Sequence, residues 1–331
     1  MIKVAINGMG RIGRTTMRQL LKQDNVTVVA VNDLVPQETL VQLIRFDSVY
    51  GRFPSEVKST EGTITIGEHT IQFCSEPDPA KLPWKSLEVD VVLDCTGLFK
   101  TYDKAAAHLE AGAKKVVLSY PVGDDKIKST VLGVNHELLT ADDKIVSNAS
   151  CTTNCSAPVV KILNDNFGIK RGILNTIHAY TADQRINDSA HKDLRRARAA
   201  AVNIIPTSTG AAKAIGKIIP DVDGKIFGSA YRVPVITGSC VDLVVELNKD
   251  ASAEEINAAI KKEAEGSLKN ILEYSEDPLV SSDIVAHPAS SIFDSGLTAV
   301  QDGLVKVVSW YDNEFGYSTR MAELCSYISK L

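Results

Sequence analysis

The chain is short of cysteine, of positive charge and of long apolar runs. Its 331 residues hold six cysteines: Cys74, Cys95, Cys151, Cys155, Cys240 and Cys325. That is too few for a secreted disulfide framework, so reduced thiols are expected. With a net charge of −5, a bulk-basic nucleic-acid binder is disfavoured, and nucleic acid is not indicated beyond a local patch. No run reaches the roughly 20 apolar residues needed to cross a membrane. The opening MIKVAING enters a strand pattern with no basic start, so no signal peptide is visible and a cytoplasmic protein is expected. There is no low-complexity segment and no short repeat. With 44% hydrophobic and 23% charged residues, the composition is globular and the length suggests two domains.

The first half alternates strand-like and helix-like stretches. IKVAIN (2–7), TVVAVND (27–33), VDVVLDCTG (89–97), KVVLSYP (115–121) and KIVSNAS (144–150) read as strands. RTTMRQLLKQ (14–23) and DKAAAHLEAGA (103–113) read as helices, the second ended by Gly112. This alternation predicts a parallel sheet with helices on both faces. After Ser150 the pattern changes. CTTNCSAPVVKILNDNF (151–167) reads as a helix. Longer strands follow at 173–181, 227–235, 240–249 and 304–312. SAEEINAAIKKEAEG (252–266) is a helix opened by a Ser-x-x-Glu capping box. The second half is therefore expected to be an α+β domain, residues 151–313, with a mixed or largely antiparallel sheet. The first domain is expected over 1–150, and the amphipathic stretch 314–331 is expected to return to it.

The first strand ends in NGMGRIGR, where Gly8, Gly10 and Gly13 make G-x-G-x-x-G. Glycines there permit a tight turn, close approach of backbone to a pyrophosphate, and close helix–strand contact. Asp33 ends the second strand, where a carboxylate binds adenosine ribose hydroxyls and repels a 2′-phosphate. The expectation is a Rossmann-type domain binding NAD in preference to NADP. An Arg at position 11 more often supports such a loop than contacts NADP.

Two cysteines stand four apart in NASCTTNCSAP (148–158). A metal site would need a further Cys/His pair at finger-like spacing, which is missing. A redox pair would ordinarily be C-x-x-C. The third reading is one working thiol. A nucleophilic thiol must be ionised near pH 7, and a helix N-terminus and a nearby imidazolium both lower its pKa. Cys151 falls where strand hands over to helix; Cys155 lies a turn inside and reads as a packed small hydrophobe. Of the six histidines, His178 lies near the end of strand 173–181, where an ordinary core or edge histidine is the plain reading.

At SNASCTTNC and TIHAYT the chain resembles the phosphorylating glyceraldehyde-3-phosphate dehydrogenase family. The likeness continues through RFDSVYGRF, GVNHELL, DLRRARAAAVNIIPTSTGAAKAIGKIIP, YRVP and SWYDNEFGYSTR. It implies oxidation of glyceraldehyde 3-phosphate with NAD and inorganic phosphate, through a thioester on Cys151 with His178 as acid–base partner. It implies that Thr181 and Arg232 hold the substrate phosphate, and that Ser150, Thr152, Arg195, Thr209 and Gly210 hold the attacking phosphate. For the cofactor it implies Arg11 and Ile12 beneath the pyrophosphate and nicotinamide, Asn313 at the carboxamide with Tyr317 beside it, and Thr96, Gly97, Phe99 and Ser119 around the adenosine and pyrophosphate. It also implies a homotetramer with segment 182–206 at subunit contacts.

Three places depart from the family pattern. Pro77 stands where an Arg commonly touches the adenine side. Tyr120 adds bulk beside the cofactor strand. Ser189 and Ala190 replace a frequent Leu-Pro and resemble members that tolerate NADP. Erythrose-4-phosphate dehydrogenase is the near rival, and an NAD-linked redox sensor or binding protein is the rival from another class. Thr181 and TSTGAAK (207–213), which serve the phosphate sites, favour the glyceraldehyde enzyme.

Overall fold

The computed structural model describes residues 1–331. The chain divides into two compact units: Met1–Thr130 with Glu137–Ala149 and Ser318–Leu331, and Val131–His136 with Ser150–Tyr317. No helix is long and apolar enough to cross a membrane.

The first unit is built on a nine-stranded sheet. Its centre is Ile2–Asn7, flanked by Val26–Asn32 and Val91–Asp94 in parallel register. Lys115–Leu118, Ile145–Ser147 and Lys128–Ser129 extend it on one side, all parallel. His69–Cys74 extends it on the other, also parallel, and then Thr63–Ile66 and Val57–Thr60 close the edge as antiparallel hairpins. Val91–Asp94 and Lys115–Leu118 are buried at every residue, which is why their cores, Val91–Leu93 and Val116–Leu118, read as apolar runs rather than alternating ones. The first helix runs Arg11–Leu20 and starts directly after Gly10, three residues before the periodicity suggests. The stretch expected as one helix over 103–113 is two short ones, Tyr102–Ala105 and Ala107–Glu110. Gly112 ends them with φ +107, and a Cβ there would strike the Lys85 backbone, so only glycine fits.

The second unit carries a seven-stranded mixed sheet. Its order is Ile205–Ser208, Ile226–Val233, Ile169–Ala179, Ser239–Leu247, Leu304–Tyr311, Ser291–Gln301 and Leu272–Ser275. Two pairings are parallel, Ile169–Ala179 with Ile226–Val233 and Leu272–Ser275 with Ser291–Gln301; the others are antiparallel. Helices Cys151–Phe167, Ala211–Ile218 and Ala253–Glu265 pack against it. The last opens with the capping box expected from sequence: Ser252 Oγ accepts from Glu255 N, and the Glu255 carboxylate accepts from Ser252 N. On the sheet, Ile173 pairs with Phe227 and Ile177 with Tyr231. Ile173 (40% exposed), Phe227 (68%) and Tyr231 (39%) leave apolar side chains in solvent there.

Candidate functional site

The glycine turn shows why each glycine is needed. Gly8 has φ +89 and a Cβ on it would lie 2.9 Å from Thr96 N; a Cβ on Gly13 would lie 2.1 Å from the Gly8 carbonyl oxygen. Gly10 differs, with nothing within 4 Å of its Cβ position. Two glycines are thus filled by the protein itself, and the middle one faces open space at the start of helix Arg11–Leu20. The first N–H groups of a helix point out of its N-terminus, the ordinary condition for holding a phosphate. Asp33 reaches back to the same turn. Its Oδ2 accepts from Met9 N at 2.6 Å and its Oδ1 from Val35 N at 3.1 Å, which leaves acceptor capacity for ribose hydroxyls. These residues fit a dinucleotide. Arg11 turns away to Asp47 (2.6 Å) and stands over the Tyr50 ring, a loop-supporting role for its side chain. Pro77 follows Glu76, whose backbone N–H and carbonyl both bind the Asn32 side chain.

Thr96, Gly97 and Phe99 form a tight loop after strand Val91–Asp94. Ser119 follows the adjacent strand, its N–H bonded to the Asp94 carbonyl. The sequence reading missed what lies beneath: Asp94 and His108, both fully buried and 3.1 Å apart. Tyr120 turns inward and its hydroxyl donates to Asp94 at 2.9 Å. An Asp directly before Cys-Thr-Gly was the available signal, because a carboxylate ending a buried strand must find partners.

In the second unit, Cys151 is the first residue of the seventeen-residue helix Cys151–Phe167. Ser150 caps it, its Oγ accepting from Thr153 N at 3.1 Å. The Cys151 thiol stands 3.4 Å from His178 Nε2. His178 Nδ1 lies 2.7 Å from the Ala179 carbonyl oxygen, which assigns the ring proton to Nδ1 and leaves Nε2 as the acceptor facing sulfur. The parallel ladder pairs His178 with Arg232, so both side chains leave the same face. Arg232 Nη1 lies 3.0 Å from the Ala179 oxygen and 2.5 Å from His178 Nδ1, and the guanidinium Nε is buried without a partner. Two donors crowding one carbonyl are poorly satisfied, so the guanidinium is ready to exchange this contact for an anion.

Burial dominates the titration of this pair. It pushes the Cys151 thiol up, while Arg232, hydrogen bonds from Thr152 and the Cys151 N–H pull it down. It drops the imidazole of His178 to about 3, helped by the charge of Arg232 and opposed by the Ala179 carbonyl. Each group is neutral while the pair is dry, and thiolate arises by passing the proton from Sγ to Nε2, where the two new charges attract at close range.

The remaining predicted residues divide. Thr152 is buried with its hydroxyl 2.9 Å from that of Tyr311, and its backbone N–H lies at the helix start, where an anion is held. Thr181 N–H and hydroxyl both bind Gln184 Oε1. Thr209 Oγ1 accepts from Ala211 N at 3.2 Å, and Gly210 caps helix Ala211–Ile218 with open space at its Cβ position. Arg195 is exposed. It is Arg196 that turns in, bound to Thr207, Asp183 and the Ser208 carbonyl, and its charge is felt at both His178 and Arg232. Adjacent arginines in DLRRAR cannot be told apart without the turn that separates them. Asn313 is buried, its Oδ1 accepting from Ser239 Oγ at 2.8 Å and lying 3.3 Å from Thr237 Oγ1, so the amide nitrogen is left to donate. Tyr317 is buried in helix Phe315–Ile328. Cys155 is fully buried, its sulfur 3.7 Å from Ser291 Oγ and from the Ser309 carbonyl oxygen.

The family profile "Glyceraldehyde 3-phosphate dehydrogenase, NAD binding domain" matches residues 2–102. The profile "Glyceraldehyde 3-phosphate dehydrogenase, C-terminal domain" matches residues 150–313. A glyceraldehyde-3-phosphate dehydrogenase of Mycobacterium avium is 55% identical over 336 residues, covering 99% of each chain. That of Mycolicibacterium smegmatis is 54% identical over 338 residues, again covering 99% of each. Glyceraldehyde-3-phosphate dehydrogenase 2 of Streptomyces avermitilis is 52% identical over 330 residues, 99% of this chain and 98% of the relative. With a glycine turn shaped for a dinucleotide, a thiol set against an imidazole at a helix start, and likeness running end to end, the chain belongs to the glyceraldehyde-3-phosphate dehydrogenase family.

Proposed function

We propose that the protein oxidises glyceraldehyde 3-phosphate to 1,3-bisphosphoglycerate with NAD and inorganic phosphate, through a thioester on Cys151. The observation that carries this reading is the 3.4 Å contact between the Cys151 thiol and His178 Nε2, with Arg232 paired to His178 on the adjacent strand. His178 takes the thiol proton as sulfur attacks the aldehyde carbon, then returns it to the new oxyanion, giving a neutral hemithioacetal. The N–H groups at the start of the helix steady that oxyanion before the proton arrives. NAD, when bound, supplies the hydride acceptor. His178 again removes the hydroxyl proton as the carbon is oxidised to the thioester. A phosphate oxygen then attacks the thioester carbonyl, the Cys151 sulfur leaves, and His178 reprotonates it.

Two anions must be held. Arg232 and Thr181 serve the substrate phosphate; Arg196, the backbone N–H of Thr152, and Thr209 with Gly210 serve the attacking one. Asn313 offers its amide nitrogen to the carboxamide of the cofactor. Asp33 favours NAD, while the small Ser189 and Ala190 leave room for NADP. The six free thiols suit a reducing compartment such as the cytoplasm. The apolar side chains of Ile173, Phe227 and Tyr231 left on the sheet face, with exposed Leu194 and Val202, support a homo-oligomer, for which we expect a tetramer by light scattering.

A spectrophotometric assay with glyceraldehyde 3-phosphate and NAD, run with and without phosphate, tests the reading. Turnover that depends on phosphate supports it. Turnover indifferent to phosphate, or a preference for erythrose 4-phosphate, removes it.

A further inference from the structure

We propose that Tyr120 is a positioning residue for the adenosine end of the cofactor, acting through the loop of residues 95–99. The proposal rests on the reading of this unit as the NAD site and goes beyond it. Asp94 ends its strand opposite Leu118, and Tyr120, two residues further on, folds back so that its phenol meets the carboxylate. Asp94 is fully buried and collects donors from both sides: Asn7 Nδ2 at 2.8 Å, Thr96 N at 3.1 Å, Thr96 Oγ1 at 2.8 Å and Tyr120 OH at 2.9 Å. His108 adds another at 3.1 Å. Its Nδ1 accepts from the Trp84 indole at 3.1 Å, so the ring proton sits on Nε2 and points at the carboxylate.

The phenol proton of Tyr120 is thus committed to Asp94. Its oxygen is free to accept, and it takes the backbone N–H of Phe99 at 3.2 Å. The loop is gripped at both ends. At Thr96 the carboxylate holds the backbone and side chain, and Thr96 Oγ1 in turn accepts from Leu98 N at 3.1 Å. At Phe99 the phenol holds the backbone, and the Phe99 ring stands edge-on to His108 at 5.7 Å. Between these points Gly97 takes the left-handed conformation, φ +75. The gripped loop lies against the glycine turn: the Cβ position of Gly8 is 2.9 Å from both Thr96 N and Thr96 Cγ2. A shift of this loop would therefore move a wall of the dinucleotide cradle. The Tyr120 ring is itself fixed by packing with Ala105, Leu118, Ile127 and Ile145, which makes it a rigid post.

Tyr120→Phe removes one hydroxyl and keeps the ring. The half-buried Phe99 N–H then loses its acceptor, and the loop relaxes to find another. Titration calorimetry with ADP-ribose, which lacks the nicotinamide, is expected to show an approximately tenfold weaker Kd. The KM for NAD should rise by a similar factor, while kcat at saturating NAD and the KM for phosphate hold. Nucleotide-free circular dichroism and melting control for folding. Tyr120→Ala, which also removes the ring, should weaken ADP-ribose further. Wild-type ADP-ribose affinity in a folded Tyr120→Phe protein overturns the proposal, as does a loss confined to kcat. A wild-type protein that does not bind ADP-ribose would instead overturn the cofactor reading beneath it.

Discussion

Replacing His178 by Asn tests how the thiol becomes reactive. The imidazole is the acceptor placed against the Cys151 sulfur, at 3.4 Å, and burial pushes the thiol above its ordinary value of 9.0. Asn removes the base while keeping a polar side chain of moderate size. Without an acceptor the sulfur can ionise only to solvent. At pH 7 a thiol with a pKa above 9 is less than about 1% thiolate. Alkylation by iodoacetamide, which reads thiolate directly, should therefore slow at pH 7 and its midpoint should move to more alkaline pH. The sign follows from what is lost: the acceptor to which the Sγ proton passes when the thiolate forms. Turnover should fall by about 10²–10⁴, the ordinary contribution of a positioned acid–base group. An alkylation profile that superimposes on wild type would refute the pairing, even if turnover fell, because the loss would then belong to a later step.

Other expected outcomes follow from local geometry. Gly10→Ala meets no atom within 4 Å, so melting should hold while the KM for NAD rises; Gly13→Ala drives a Cβ to 2.1 Å from the Gly8 oxygen and should lower the melting temperature itself. Arg196→Ala should raise the KM for phosphate by tenfold or more, whereas Arg195→Ala should leave it within about twofold; the reverse pattern would return the role to Arg195. Ser252→Ala breaks an exposed capping box and should cost about 1 kcal/mol in urea unfolding, with turnover unchanged.

Much of this was legible in the residues. Val91–Leu93 and Val116–Leu118 are apolar throughout because both faces are covered, and that pattern announces a parallel sheet. The capping box at Ser252 and the stop at Gly112 are local devices that need no partner, so they survive translation into three dimensions. Cys151 at a helix start is local too. What stayed hidden depends on chain brought in from elsewhere. Strand Ser291–Gln301 left no alternating period, since its first five residues are all buried and the rest are mostly exposed. The inward turn of Arg196 is set by Asp183 and Thr207, eleven or more residues away. The neutral state of His178 is a matter of burial and of Arg232, which sits 54 positions along. Tyr120 looked like surplus bulk because its partners, Asp94 and Phe99, lie 26 and 21 residues back.

The rung shared by His178 and Arg232 has an implication for how these strands can change. Side chains alternate along extended chain, so adding or deleting a single amino acid in either strand upstream of the rung would swing one of the two to the opposite side. Length variants that keep both groups facing together must absorb the change in the connecting turns, or come in pairs. A library of one- and two-residue insertions across 170–177 and 226–231 should therefore show survival that tracks parity rather than size.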